Sequence, residues 1–422
     1  MSIPNNYSEY NDSAQSSERV QTEYKPISEL QGISRLAIEA VVSVCEIVES
    51  VHTSINNIAS LPGSQKKQQA GGIASFVYKN IRGITELVGT KIDVPLAAIS
   101  EALLKEKSLP ANETLRAALN GVLGDHLIKR ANPLAIPMNF RRAGKNLEPE
   151  AIAQEIQHSN GKLLIMVHGL CMNDLQWQKQ QHDHGAALAA DLGLTPVYLH
   201  YNSGKHISDN GENFAQLLEK FVLELTALYP HPLEITLLTH SMGGLISRSA
   251  FEHASSAEMS WPKYLKKLIF LGTPHHGAPL EKTGNWLDML LGIHPISAPF
   301  TRLIQIRSAG ITDLRHGNVR DTDWQPRGRF EFSGDKRIPL PLPKNVQCYA
   351  IASTTGSHSN SINNDLVGDG LVPVDSALGK HGDKKFTLLF PPSHQWLGRD
   401  INHMQLLNHP EVYQVLRNWL IS

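Results

Sequence analysis

Short apolar runs alternate with helical stretches over the C-terminal part of the chain, and this alternation constrains the fold more than any other feature. The six runs are 162–169, 195–201, 233–239, 265–273, 346–353 and 385–390. Continuous apolar runs of this length predict strands that are buried on both faces. Helical patterns separate or follow several of them, at about 210–228, 242–255 and 410–420. The sequence therefore predicts an α/β fold, with a mostly parallel sheet covered by helices on both faces.

The rest of the chain predicts further parts around this α/β domain, which would span 150–422. Residues 1–29 are polar and rich in Ser, Asn and Glu, which favours a disordered N-terminus. Residues 30–130 carry apolar side chains at three- and four-residue steps, which predicts an N-terminal helical region. Its last helix would span about 113–128, with Asn112 as N-cap. The interval from about 278 to 343 is too long for a plain connection and predicts an inserted cap.

Charge and composition exclude several classes of function. Lys and Arg number 39 and Asp and Glu number 40, so no excess charge favours nucleic acid. The cysteines Cys45, Cys171 and Cys348 lie far apart, which gives neither a disulfide framework nor metal-ligand spacing. The sequence carries no secretory signal pattern and no apolar run long enough to cross a membrane. The expected location is cytoplasmic, and a peripheral membrane contact through the helical region is left open beside its packing as a helical layer.

The stretch "LLTHSMGG" (237–244) carries the strongest chemical signal. An apolar run leads straight into Ser241 and a helical pattern follows it, which predicts a serine lifted out on a sharp turn above the strand ends. Gly243 suits the close passage of the backbone there. Thr239 stands where such turns usually have glycine, and its short side chain is tolerable if its backbone stays in the β region. The alternative is a serine that only caps a helix.

A second turn, "VHGL" (167–170), follows the first apolar run. Gly169 permits a tight turn, after which the N–H of Leu170 can face a developing oxyanion. The N–H of Met242, directly after the serine, would be its partner. We interpret His168 as a scaffold residue and expect His168, Gly169 and His240 to line the site.

A carboxylate and a histidine complete the predicted constellation. Asp369 lies between two glycines after the fifth run and could fix the tautomer of a histidine, although Asp-Gly is also common in plain turns. The base should follow the last run, 385–390, which leaves three candidates: His394, His403 and His409. His409 precedes Pro410 and flanks the final helix. His403 lies on a longer loop that could reach back over the strand ends, so we favour it over His394.

Two adjacent histidines, His275 and His276, raise the question of a metal. Adjacent side chains rarely converge on one ion, and no carboxylate or thiol lies close to them in sequence. The sequence therefore predicts no metal site and no cofactor. We interpret His275 as a polar wall of the site.

Five motifs, in this order along the chain, resemble a known superfamily: "HGL", "HSMGG", "LGTPHHGAP", "GDGLVPVDSALG" and "NHMQLL". They resemble the α/β-hydrolases, specifically bacterial lipases and the lipase-like hydrolases grouped with GPI inositol-deacylase domains. The resemblance covers about 160–422 and implies the α/β-hydrolase fold. It implies Ser241 as nucleophile, Asp369 as acid and His403 as base. It also implies the backbone N–H groups of Leu170 and Met242 as oxyanion donors.

The sequence departs from this family at two positions. Thr239 replaces the first glycine of the serine turn. Gln405 stands where bacterial lipases of this type often have a calcium-binding aspartate, so the resemblance does not imply a calcium ion here.

The inserted segment indicates the substrate class. Its stretch 284–304 is densely apolar, as expected of a lid whose underside lines an acyl pocket. The expected function is that of a serine hydrolase of lipid metabolism, a lipase or esterase that cleaves acyl lipids or hydrophobic esters through an acyl-enzyme. Two alternatives remain open: an acyltransferase that uses the same triad, and a catalytically inactive lipid-binding or interaction protein.

Overall fold

The computed structural model describes residues 110–279, 308–325, 335, 337–356 and 368–421. The predictions for the N-terminus 1–29, for the helical region before residue 110 and for most of the cap lie outside these residues. Within them, no helix is long and apolar enough to cross a membrane.

An eight-stranded sheet forms the centre of the molecule, in the order β2-β1-β4-β3-β5-β6-β7-β8. Its strands are β1 (Asn139–Arg142), β2 (Lys145–Asn146), β3 (Lys162–Val167), β4 (Thr195–His200), β5 (Glu234–His240), β6 (Leu265–Leu271), β7 (Gln347–Thr354) and β8 (Gln395–Arg399). Neighbouring strands from β4 to β8 are parallel, and the β1–β2 hairpin joins β4 in antiparallel orientation. All six parallel strands therefore end at the same edge of the sheet.

Helices cover both faces of this sheet. They are α1 (Pro110–Lys129), α2 (Pro149–His158), α3 (His184–Leu192), α4 (Ile207–Leu228), α5 (Met242–Ser256), α6 (Ala309–His316), α7 (Asp321–Trp324), α8 (Val374–Ala377) and α9 (Pro410–Ile421). Successive residues of β3 are buried from Leu163 onward. Because successive side chains of a strand point to opposite faces, this burial requires cover on both sides. Helix α4 packs on α5, and α3 packs on α9.

Helix α1 belongs to the same body as the sheet. Its buried apolar side chains join one hydrophobic core with those of the central strands. This part of the predicted helical region thus packs on the α/β domain. The helix begins at Pro110, so Asn112 lies within its first turn and the prediction of an N-cap there was wrong.

Five of the six apolar runs form the central strands β3 to β7, which confirms the predicted parallel sheet. The sixth prediction was wrong: a short 3₁₀ helix, Lys384–Phe386, occupies the start of 385–390, and the last strand is β8. The N–H of Leu388 donates to the carbonyl oxygen of Gly379 at 2.8 Å instead of to a strand. Leu388 and Phe390 are buried while Leu389 is 86% exposed, so this segment packs on the core from outside the sheet.

The topology is that of the α/β-hydrolase fold. Strand β5 leads through Ser241 directly into α5, and the loops after β3, β6, β7 and β8 carry the other predicted site residues. All of these loops leave the same edge of the sheet, where open α/β sheets generally bind their ligands.

Candidate active site

Ser241 occupies the sharp turn between β5 and α5. Its φ of 54° and ψ of −124° fall in a backbone region that residues other than glycine rarely adopt. Such a backbone costs on the order of 1–3 kcal/mol and persists only where the surroundings enforce it. One such restraint is visible, since the N–H of Ser241 donates to the carbonyl oxygen of Leu271 at 2.9 Å. The turn thus holds the serine above the ends of β5 and β6.

Gly243 and Thr239 flank this turn, and the structure gives a different reason for each. A Cβ at Gly243 would lie 2.4 Å from the carbonyl oxygen of Val167 and 2.6 Å from that of His168. Thr239 lies within β5, as predicted for a tolerated threonine. Its hydroxyl donates to the carbonyl oxygen of Ile269 at 2.9 Å, so the side chain is satisfied against β6. The absence of the usual glycine therefore causes no steric conflict.

Replacing Gly243 by alanine is expected to destabilise the fold by about 3 kcal/mol or more, because the new methyl group would overlap two fixed backbone oxygens. Urea unfolding of the full chain measures this loss. Gly382→Ala is the matched control, since a Cβ there meets no atom within 4 Å. We expect the control to change the free energy of unfolding by no more than about 0.5 kcal/mol. Equal stabilities of the two variants would contradict the close approach of α5 to β3.

Asp369 and His403 are joined by two hydrogen bonds. The ring Nδ1 of His403 lies 2.7 Å from Asp369 Oδ2, and the His403 N–H donates to the Asp369 carbonyl oxygen at 3.0 Å. Asp369 Oδ1 accepts the backbone N–H groups of Leu371 and Val372 at 3.0 and 2.9 Å. Because a carboxylate only accepts, Nδ1 carries the proton and Nε2 is left as an acceptor. Among the described residues, this buried Nε2 has no hydrogen-bond partner.

The other two histidine candidates lie elsewhere. His394 directly precedes β8, its Nδ1 lies 3.1 Å from the carbonyl oxygen of Cys348, and its ring stacks on Tyr349. His409 precedes α9 and accepts the N–H of Tyr413 through its carbonyl oxygen. Of the three histidines, only His403 contacts Asp369 within the part of the chain that the structure describes.

Ser241 and the Asp369–His403 pair lie at the same edge of the sheet, although no described hydrogen bond joins Ser241 to His403. The ring of His240, directly before the serine, lies 4.6 Å from the His403 ring, and its Nε2 donates to the His403 carbonyl oxygen at 3.2 Å. Gly272 follows the residue that accepts the Ser241 N–H. A Cβ at Gly272 would lie 3.1 Å from both Asp369 Oδ2 and His403 Cε1. Sequence reasoning missed Gly272, although a glycine at the end of an apolar run is a signal of such close approach.

The turn after β3 lies against the serine from the other side. A Cβ at Gly169 would lie 3.0 Å from the Cβ of Ser241. The backbone N–H groups of Leu170 and Met242 donate to no other group of the described residues. An oxyanion beside Ser241 would need two such N–H groups, so their role as donors stays a prediction.

His168 braces this turn as a neutral residue. Its ring stacks on Tyr201 at 4.2 Å, and its Nδ1 lies 2.8 Å from the carbonyl oxygen of Gly169. The hydroxyl of Tyr201 donates to the His168 carbonyl oxygen at 2.6 Å. Burial lowers the pKa of His168 to about 4, so the ring stays uncharged near neutral pH. These contacts agree with the interpretation of His168 as a scaffold residue.

His275 contacts Phe270 and Arg248 and, among the described contacts, none of the residues around Ser241 that are named above. Its ring packs edge-on against Phe270, and its Nδ1 lies 3.4 Å from Nη1 of the buried Arg248. Burial and the Arg248 charge lower the pKa of His275 well below its usual value. No described contact joins His275 to Ser241 or His403, so its place in the wall of the site stays a prediction. No group of three metal-ligating side chains occurs among the described residues.

One family model matches part of the sequence. A family model described as a domain of unknown function, DUF7379, matches residues 129–313. No curated protein matches the sequence significantly.

Solved structures of similar fold include Bacillus licheniformis lipase BlEst2 in its mature form. The identity is 18% and the TM-score 0.42, and the match covers 67% of this chain and 98% of that one. Aspergillus fumigatus lipase B is 13% identical with a TM-score of 0.40, over 92% of this chain and 85% of that one. EstA from Clostridium botulinum is 11% identical with a TM-score of 0.37, over 62% of this chain and 87% of that one. These likenesses are too remote to assign an activity to this chain.

Proposed function

We propose that this chain is a serine hydrolase that cleaves carboxylic esters, a lipase or esterase acting on acyl lipids or other hydrophobic esters. One observation carries the proposal. The Nδ1 of His403 is hydrogen-bonded to buried Asp369, and its Nε2 has no partner among the described residues. This pair lies at the sheet edge where Ser241 occupies its strained turn. Nucleophile, base and orienting acid are the three roles that such a set supplies.

In the proposed reaction, the hydroxyl oxygen of Ser241 attacks the ester carbonyl carbon while its proton passes to Nε2 of His403. Asp369 stabilises the imidazolium that results, through the Nδ1–H···Oδ2 hydrogen bond. The tetrahedral intermediate expels the alcohol, which takes the proton back from Nε2. Water then attacks the acyl-serine by the same steps and releases the carboxylic acid.

The developing oxyanion would rest on the N–H groups of Leu170 and Met242. In a trans peptide, the usual form, the carbonyl and the N–H point in opposite directions. The hydrogen bond from neutral His168 to the Gly169 carbonyl oxygen therefore fixes the direction of the Leu170 N–H. His168 thus acts as a positioning residue in this proposal. The second donor, Met242, stands at the first turn of α5, where backbone N–H groups lack helical partners.

Labelling with a fluorophosphonate probe tests this proposal. We expect the full chain to lose its ester-cleaving activity on labelling and the adduct to map to Ser241 by mass spectrometry. Heat-denatured protein and Ser241→Ala are the controls, and neither should be labelled. Esters graded by acyl length then test the preference for hydrophobic substrates. Absence of labelling under conditions that label a reference esterase would contradict the proposal and favour a catalytically inactive binding protein.

A further inference from the structure

Helix α1 presses directly on the loop that carries Leu170. A Cβ at Gly121 would lie 2.3 Å from Sγ of Cys171 and 3.0 Å from both its Cα and its N. One turn earlier on the helix, the carbonyl oxygen of Ala118 accepts the Cys171 thiol at 3.8 Å. The helix backbone and the loop therefore approach as closely as the absence of a side chain at Gly121 allows.

Cys171 is also fixed on its opposite side. Its φ of 60° lies in the left-handed region, which is uncommon for a residue with a side chain. Its N–H donates to the hydroxyl of Ser203 at 3.0 Å. The residue that follows Leu170 is thus clamped between α1 and the segment after β4, in a conformation that the isolated loop would disfavour.

Contacts that do not involve this loop hold α1 in place. A Cβ at Gly124 would lie 1.8 Å from Oδ1 of Asn202, whose Nδ2 donates to the Gly124 carbonyl oxygen at 3.0 Å. The hydroxyl of Ser308, just before α6, donates to the Gly121 carbonyl oxygen at 2.7 Å. The Ser308 anchor lies on a different segment from those that hold Cys171, so the helix has an attachment of its own beside its contacts with the loop.

We propose that α1 positions the oxyanion donor Leu170, with Gly121 as the positioning residue that acts through Cys171. The inference rests on the proposed function, because it gives the Leu170 N–H its role. It assigns a part in the reaction to a helix that the resemblance to lipases leaves unexplained.

Gly121→Ala in the full chain tests this role. The added methyl displaces Cys171 and with it the Leu170 N–H. Losing an oxyanion donor costs about 10²–10³ in kcat, so displacing one should lower kcat by about 10- to 100-fold. KM should stay within about threefold, because the donor serves the transition state more than the bound ester. The pH profile of kcat should keep its shape, since His403 is not touched.

Gly124→Ala is the matched control. It places the same methyl group on the same helix, but against Asn202 and not against Cys171. We expect it to lower the melting temperature and to leave kcat within about threefold of the wild type at a temperature where both are folded. If Gly124→Ala lowers kcat as much as Gly121→Ala, the effect is general loosening of the helix and the proposal is overturned.

A double-mutant cycle with Cys171→Ala provides a second test. Removing Sγ relieves the shortest contact, so Gly121→Ala should cost at least fivefold less in kcat in that background than in the wild type. An equal cost in both backgrounds overturns the proposal.

Assays of the wild type and of Ser241→Ala on the same ester distinguish failure of the proposed function from failure of the role of α1. If the wild type is inactive or Ser241→Ala stays active, the proposed function fails. If both behave as expected and Gly121→Ala keeps full kcat, only the role of α1 fails.

Discussion

Replacing Ser241 by alanine is expected to lower kcat for ester cleavage by about 10⁶-fold, as for the loss of the nucleophile in other serine triads. The substitution removes the hydroxyl oxygen that would form the acyl-enzyme, while the strained backbone and the N–H groups of Leu170 and Met242 stay in place. The measurement is steady-state hydrolysis of a short and a long acyl ester by the full chain.

Ser247→Ala is the control for this experiment. Ser247 lies on α5, the helix that follows Ser241, and is fully buried, and its hydroxyl has no hydrogen-bond partner among the described residues. Its loss should leave kcat within about twofold, because no polar group loses a partner. Retention of more than about one hundredth of wild-type kcat by Ser241→Ala would exclude Ser241 as the nucleophile.

Replacing Asp369 by asparagine is expected to lower kcat by about 10⁴-fold through the tautomer of His403. The N–H groups of Leu371 and Val372 require an acceptor where Oδ1 now stands, so the amide oxygen takes that place. The amide NH₂ then faces Nδ1 of His403, which must become an acceptor. The proton moves to Nε2, and the ring can no longer accept the proton of the serine hydroxyl.

This variant should fold normally, because the amide keeps both backbone hydrogen bonds; circular dichroism and the melting temperature check that. Asp375→Asn is the matched control on the same segment, where the carboxylate is 71% exposed. We expect it to leave kcat unchanged within about twofold. A kcat for Asp369→Asn within tenfold of the wild type would remove Asp369 from the proposed mechanism.

The central strands could be predicted because a strand that is buried on both faces needs apolar residues at successive positions, which gives a continuous apolar run. The edge strand β8 could not, since its residues "QWLGR" pair with one neighbouring strand only and all except Gly398 are half-buried or exposed. The run 385–390 was mistaken for it because Leu388 and Phe390 are core residues that pack from outside the sheet. The hairpin β1–β2 was missed for a related reason, as its sequence is polar and its strands are short.

The residues of the candidate site also differ in how far the sequence alone could predict them. The turn at Ser241 is local, so the apolar strand, the serine and Gly243 mark it together. The choice among three histidines depends instead on how the chain runs around β8, which the sequence pattern misplaced. The preference for His403 over His394 therefore rested on loop length and on the family resemblance. The contact of α1 with Cys171 joins residues 50 apart and left no mark beyond a glycine within a helical pattern.

The two bonds between His403 and Asp369 have a consequence for how this site would fail. One joins their side chains and the other joins the His403 amide to the Asp369 carbonyl, so neither residue can drift away alone. Loss of the backbone bond would carry the His403 ring away from Asp369, so heating should inactivate the protein when the two loops that carry this pair separate. The His403 amide proton exchanges with solvent only while that bond is open. Its exchange rate would therefore report the fraction of molecules without a working base, before the rest of the sheet unfolds.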